Sequence, residues 1–429
     1  MPASSQRLFN RQRLLFMLGL IFAGEAVYAL PFHVTRYFRS TVLDVFGISA
    51  TELGAAQGIY GVIAMLAYFP GGLIADRVPA RKLLAYSLWS TAAGGLYMAS
   101  FPGYIGSLFL WSFFGLTSIL LFWAALIRAT RDWGGADEQG RAYGLLDGGR
   151  GLVAAGMASI LVMVLGLTFP AGYDSLGDQQ AALSTVILGY IGVTALAGLF
   201  VWFVIPDHRP HKAGRDRDSF SSTIDQISDV LLIRAVWLQA LIIVCAYVAY
   251  KGFDNYQLFA VEAYGLDDED ATAIVTLASW ARPFAALAAG LLGDRFNASR
   301  MILYGFLLLL ASDLFFAFAT PPAGVAAAWV LLGNTLIACL AIFGFRGLYF
   351  ALFEEARVPA MLTGTAVGFV SLIGYTPDIF VTLVAGIFID ASPGLEGHQH
   401  FFMFLAVFAA LGALTSVTLL RMLHPQSAR

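Results

Sequence analysis

Charge is what this sequence has least of. Asp, Glu, Lys and Arg together make up 12% of its 429 residues, while 59% are hydrophobic. A typical soluble domain carries about 25% charged residues. With a mean hydropathy of +0.75, the chain lacks the polar side chains needed to cover a water-facing surface. That excludes a soluble globular protein. Cysteine is also scarce: Cys245 and Cys339 both fall in apolar runs, which excludes a disulfide framework and reads as two small core residues. No G-x-x-x-x-G-K-[ST] loop occurs, so a nucleotide-driven pump is not expected. The six histidines and two cysteines show no metal-ligand spacing, and His398 and His400 read as solvated in an outer loop. No nucleophile and base stand in a plausible water-exposed arrangement. The expectation is therefore no catalytic residue, no metal and no cofactor, and a protein that is not an enzyme.

What the sequence does have is long apolar runs. Crossing the hydrocarbon core takes about 20 mostly apolar residues in a helix. Twelve segments qualify: 14–37, 52–75, 83–101, 104–127, 142–167 and 182–205, then 234–260, 270–293, 300–319, 323–350, 364–389 and 400–422. The basic N-terminus leads into a run longer than a signal-peptide core, which reads as a retained first span. The longest polar stretch lies between the two sets of six, and its part after Ser222 has a helical period. The sequence thus divides into an N-terminal bundle (1–205), a central loop (206–233) and a C-terminal bundle (234–429). With both termini on the cytoplasmic side, 19 of the 25 Lys and Arg residues face the cytoplasm, only Arg36 and Arg39 face the other side, and four lie within spans. This asymmetry sets the orientation and accounts for the basic loops, so no nucleic-acid partner is expected.

The halves repeat one another. GGLIADRVPARK (71–82) joins spans two and three, and GLLGDRFNASR (290–300) joins spans eight and nine. A shift of 218 pairs Gly72 with Gly290, Asp76 with Asp294, Arg77 with Arg295 and Gly47 with Gly265. Repeated six-helix units imply a pseudo-two-fold arrangement with a site between them near mid-membrane. The doubled G-x-x-x-D-R loop resembles the loop signature of the major facilitator superfamily, with Pro79 standing where that family usually has a glycine. The resemblance implies an all-α membrane protein of twelve helices in two pseudo-symmetric six-helix bundles. It further implies a secondary transporter working by alternating access, with Asp76, Arg77, Arg81, Asp294 and Arg295 in a cytoplasmic gate. Arg128 and Arg131 are candidate partners in the first half and Glu354 and Glu355 in the second.

Charges inside spans are costly and usually face the bundle interior. In AYVAYKGFDNYQLFAV (246–261), Lys251 and Asp254 are three residues apart and share a helix face. Lys251 is a candidate to hold an anionic substrate, with Asp254 holding it until substrate arrives. The alternative is a pair that neutralises itself. The same shift sets His33 opposite Lys251 and Arg36 opposite Asp254, while Tyr28, Tyr247, Tyr250 and Tyr256 offer hydroxyls and ring faces. Glu25, read as a lone carboxylate in span one, and Asp378, at a Pro377 kink beside Tyr375, are candidates for proton coupling. Arg282 precedes Pro283 at another bend. Arg346 offers a planar fork for a carboxylate, sulfonate or phosphate. Asp147 and Arg150 repeat the three-residue spacing and read as structural.

The sequence reading is therefore a monomeric integral protein of the plasma membrane (the inner membrane of a bacterium) that moves a small anionic organic metabolite. Proton or counter-substrate coupling completes that expectation. Lys251, Asp254, Arg346, Arg282, His33, Tyr28, Tyr250 and Tyr375 form its substrate site. Efflux of amphipathic cations and a non-transporting membrane sensor are the alternatives.

Overall fold

The computed structural model describes residues 11–75, 77–135, 138–173, 175–207, 229–349, 351–356 and 360–423. Among them every regular element is helical. The helices fall into twelve long segments. They are α1 (Arg11–Tyr37), α2 (Ala50–Ala75), α3 (Ala80–Met98), α4 (Tyr104–Gly134), α5 (Gln139–Thr168), α6 (Leu176–Val204), α7 (Arg234–Glu262), α8 (Asp268–Ser279 and Ala281–Phe296), α9 (Ala298–Phe318), α10 (Val325–Leu348), α11 (Ala360–Gly374 and Pro377–Ala391) and α12 (Leu395–Leu423). Ten of these segments are both long and apolar enough to cross a membrane. The other two, α2 and α3, are helices of 26 and 19 residues packed among them.

The breaks fall where the backbone chemistry puts them. Pro31 sits in a wide turn of α1 (Ala29–His33), and the buried Trp111 indole donates to its carbonyl at 3.1 Å. Helix α11 is interrupted just before Pro377, and α8 at Trp280, ahead of Pro283. The paired glycines of the repeat behave alike. Gly47 and Gly265 adopt left-handed φ angles of 61° and 66°, a conformation that costs glycine little.

The end of the molecule away from both termini is sealed between the halves. A short helix (Arg39–Phe46) leans on α7 and α8: Thr41 Oγ1 donates to Asp268 Oδ2 at 3.1 Å, and Ser40 bonds both Gln257 and Asp268. Asp390, at the end of α11, caps the start of α2 by accepting from Ala50 N (3.2 Å) and Thr51 N (2.7 Å). Below that cap α2 and α11 touch backbone to backbone. A Cβ at Gly54 would stand 2.3 Å from the Thr382 carbonyl oxygen.

Candidate functional site

A cavity of about 90 Å³ lies between the halves. That is room for several waters. Helices α1, α2, α4, α5, α7, α10 and α11 line it, and its charged residues fall into two groups.

The first group joins α1, α7 and α11. Asp254 Oδ1 accepts from Arg36 Nε at 2.6 Å, while its Oδ2 lies 2.7 Å from Lys251 Nζ. Lys251 Nζ also stands 3.5 Å from Asp378 Oδ1, whose other oxygen accepts from the Tyr247 hydroxyl at 3.0 Å. The second group joins α1, α5, α8 and α10. Glu25 Oε2 accepts from Arg150 Nε at 3.0 Å, and its Oε1 accepts from Arg282 Nη1 at 3.0 Å and meets His33 Nε2 at 3.2 Å. Asp147 Oδ1 faces Arg346, Arg150 and Arg282 at 3.7, 3.8 and 4.0 Å.

Aromatic rings hold the cations in place. Arg36 and Arg346 sit on Tyr250, with guanidinium carbons 5.0 and 4.9 Å from the ring centre, and Lys251 Nζ is 4.3 Å from that of Phe32. Such contacts gain strength where water is excluded. The cavity lining contains four cations, Arg36, Arg150, Lys251 and Arg346, against two carboxylates, Glu25 and Asp378. Adding their partners Asp254, Asp147 and Arg282 gives five cations and four carboxylates. The lining is cationic on either tally. Arg346 is also the least committed: its only carboxylate neighbour among the described residues is Asp147, beyond hydrogen-bond length, and its buried Nε has no hydrogen-bond partner.

Comparison with known proteins places this geometry. The sequence profile of the Major Facilitator Superfamily matches residues 14–380. The chain belongs to that superfamily. Among its Escherichia coli relatives, the inner membrane protein YqcE is 29% identical over 423 residues, covering 96% of this chain and 95% of the relative. The inner membrane protein YihN is 25% identical over 407 residues, covering 94% of each. The fold matches the crystal structure of a bacterial homolog of the human lysosomal transporter Spinster with a TM-score of 0.74 at 13% identity, covering 97% of this chain and 98% of that one. As a superfamily member the chain is an integral membrane protein and a secondary transporter of small molecules, not an enzyme.

Within this superfamily fold, the site residues read from the sequence fall into three sets. Lys251, Arg346, His33, Tyr28, Tyr250, Tyr375, Glu25 and Asp378 line the cavity. Asp254 and Arg282 stand behind it as partners of lining residues. Of the gate residues, Asp76 and the Asp294 side chain lie outside the described residues. Arg77 is exposed, Arg81 pairs with Asp207, Arg128 donates to the Val78 carbonyl at 2.9 Å, and Arg295 lies over Phe296. Glu355 accepts from Ser299 N at 2.9 Å, at the start of α9. Glu354's side chain and loop residues 208–228 also lie outside the described set.

Four expectations need correction. Glu25 is not a lone carboxylate, because Arg150 and Arg282 reach it from α5 and α8. Arg36 and Arg39 are both buried: Arg36, near the end of α1, turns onto Asp254 of the other half, and Arg39 begins the short helix packed against α7 and α8. Tyr256 offers no hydroxyl to the cavity, being enclosed by Phe253, Phe316 and Phe402. His398 is inside α12, fully buried, and meets Glu262 at 2.8 Å. The reading also left Arg36, Arg150, Tyr60 and Tyr68 out of the site, though all four line the cavity. A signal for Arg36 was present, because the 218 shift sets it opposite Asp254. Residues near a pseudo-two-fold axis approach their own mates, and these two are hydrogen-bonded.

Proposed function

We propose that this transporter carries a small organic anion through the central cavity by alternating access. The observation behind the proposal is the cationic lining, and above all Arg346, whose guanidinium faces the cavity without a hydrogen-bonded carboxylate. A planar guanidinium suits a two- or three-oxygen anion, because it presents parallel N–H groups. Lys251 assists from α7, Tyr28, Tyr250 and Tyr375 supply hydroxyls and ring faces, and His33 and Arg282 shape the second charge group. An amphipathic cation would meet four positive side chains in the same space, which argues against the efflux alternative.

Coupling to a proton or a counter-substrate falls to Asp378, held by Lys251 and Tyr247, and to Glu25 beside His33. Residues 1–205 and 234–429 act as the two rocking units, joined by 206–233, in a monomer. The arginine-rich end faces the cytoplasm of the plasma membrane, with Asp76, Arg77, Arg81, Arg128, Asp294 and Arg295 as its gate. The purified protein in liposomes, given organic carboxylates, sulfonates and phosphate esters with and without a pH gradient, tests this reading. Uptake of at least one anion is expected. Arg346→Ala and Lys251→Ala are each expected to lower it at least tenfold while the folded protein is retained. Unchanged uptake in both variants removes the anion assignment.

A further inference from the structure

The second charge group holds an arrangement that stability alone does not require. Three guanidinium groups, Arg150 from α5, Arg282 from α8 and Arg346 from α10, converge on one oxygen of Asp147. None makes a hydrogen bond to it: the separations of 3.7 to 4.0 Å all exceed the usual N–H···O range. A carboxylate fixed for structural reasons draws its partners in, as Asp254 does with Arg36 at 2.6 Å. Asp147 is instead held loosely. Its side chain is 35% exposed, against 3% for Glu25, 8% for Arg150 and 6% for Arg282. On the same face of α5, one turn before it, a side chain at Gly144 would meet no atom within 4 Å, whereas one turn after it a side chain at Gly151 would meet Arg282 Cγ at 3.1 Å. The carboxylate therefore has open space to move into on the Gly144 side. Arg346 Nε and Arg282 Nε are both buried without a hydrogen-bond partner, so the cluster offers more donors than Asp147 uses.

We propose that Asp147 is a resident stand-in for the transported anion. With the site empty, it balances Arg150, Arg282 and Arg346. An arriving oxyanion takes those donors and displaces the carboxylate into the open face of α5. This inference rests on the anion reading above and deepens it. The gap around one oxygen calls for a ligand whose two or three oxygens spread over the three guanidinium groups, as in a carboxylate, sulfonate or phosphate monoester. Displacement also has a mechanical consequence. Asp147 belongs to the first half, whereas Arg282 and Arg346 belong to the second. Exchanging it for a free ligand removes an electrostatic tie between the halves at the moment of binding.

Thermal unfolding of the full-length protein in detergent, at constant ionic strength and with sulfate, inorganic phosphate or acetate as the probe, tests this. Bound ligand stabilises in proportion to occupancy. Asp147→Asn keeps the shape but removes the competing charge. It is expected to lower the anion concentration giving half the full shift by about tenfold, and adding Arg346→Ala to that variant is expected to abolish the response. Asp147→Glu, which keeps the charge on a longer arm, is expected to raise the midpoint and serves if the Asn variant fails to fold. Midpoints unchanged by either substitution, with the wild type still responding, overturn the stand-in and leave the anion reading in place. Absence of any response in wild type and variants overturns both.

Discussion

At the scale of single residues, the contrast between Asp254 and Asp147 separates structure from function. Asp254 is completely buried and lies within 2.7 Å of two cations. Removing one partner of a buried pair costs about 3–5 kcal/mol, because the charge left behind cannot be hydrated. Arg36→Ala leaves Asp254 with Lys251 alone, and Lys251 is shared with Asp378. A marked fall in unfolding temperature is expected, with Arg36→Lys recovering part of it because the charge returns without the planar fork. Unfolding curves of the two variants beside the wild type check this, and equal midpoints for all three reject a structural role for Arg36. The sequence showed that charges were buried but not which would pair. Asp313 makes that limit plain. It sits buried in α9 with neither carboxylate oxygen hydrogen-bonded among the described residues, although its sequence context differs little from that of the paired intramembrane carboxylates.

At the scale of elements, hydrophobic length placed the spans well, because the bilayer enforces one length on every crossing helix. The repeat carried further than length did. The pair Gly47 and Gly265 proves to share a left-handed backbone conformation, and pairing Arg36 with Asp254 contained a contact that the linear sequence separates by 218 positions. What stayed hidden was how closely particular helices approach, since that depends on which faces meet. The contact of α2 with α11 is the clearest case. Gly54→Ala places a Cβ against the Thr382 carbonyl, so the helices must separate at the end away from the termini. Overpacking of this kind costs about 1–3 kcal/mol. The variant is expected to unfold at a lower temperature and to admit a thiol reagent several-fold faster to a cysteine placed at the fully buried Thr382. Native Cys245 and Cys339 are buried and contribute little background. Labelling no faster than in the cysteine variant alone means that the seam absorbs the methyl group without opening.

At the scale of the whole molecule, beyond the central charge groups, a set of hydrogen bonds between the halves gathers at one end. Ser40 and Thr41 bond Asp268, Gln257 bonds Ser40, and Asp390 caps α2, all at the end away from the termini. At the other end, Arg81 pairs with Asp207 of the central loop and Arg128 donates to the Val78 carbonyl. A seal of this kind suits one state of a two-state carrier, since the polar contacts that close one end must break for it to open. A cross-link there separates a working seal from a permanent one. Ser40 Oγ touches the Asp268 carboxylate, so cysteines at these two positions lie within reach of a short thiol cross-linker. If alternating access requires this end to open, transport by the cross-linked protein falls to the background of empty liposomes and returns when a cleavable linker is cut. The uncross-linked double variant transports more slowly than wild type, because it has lost hydrogen bonds that hold one state, but it still turns over. Transport that persists through complete cross-linking means that the seal is static, and the path of the substrate then has to be sought elsewhere in the fold.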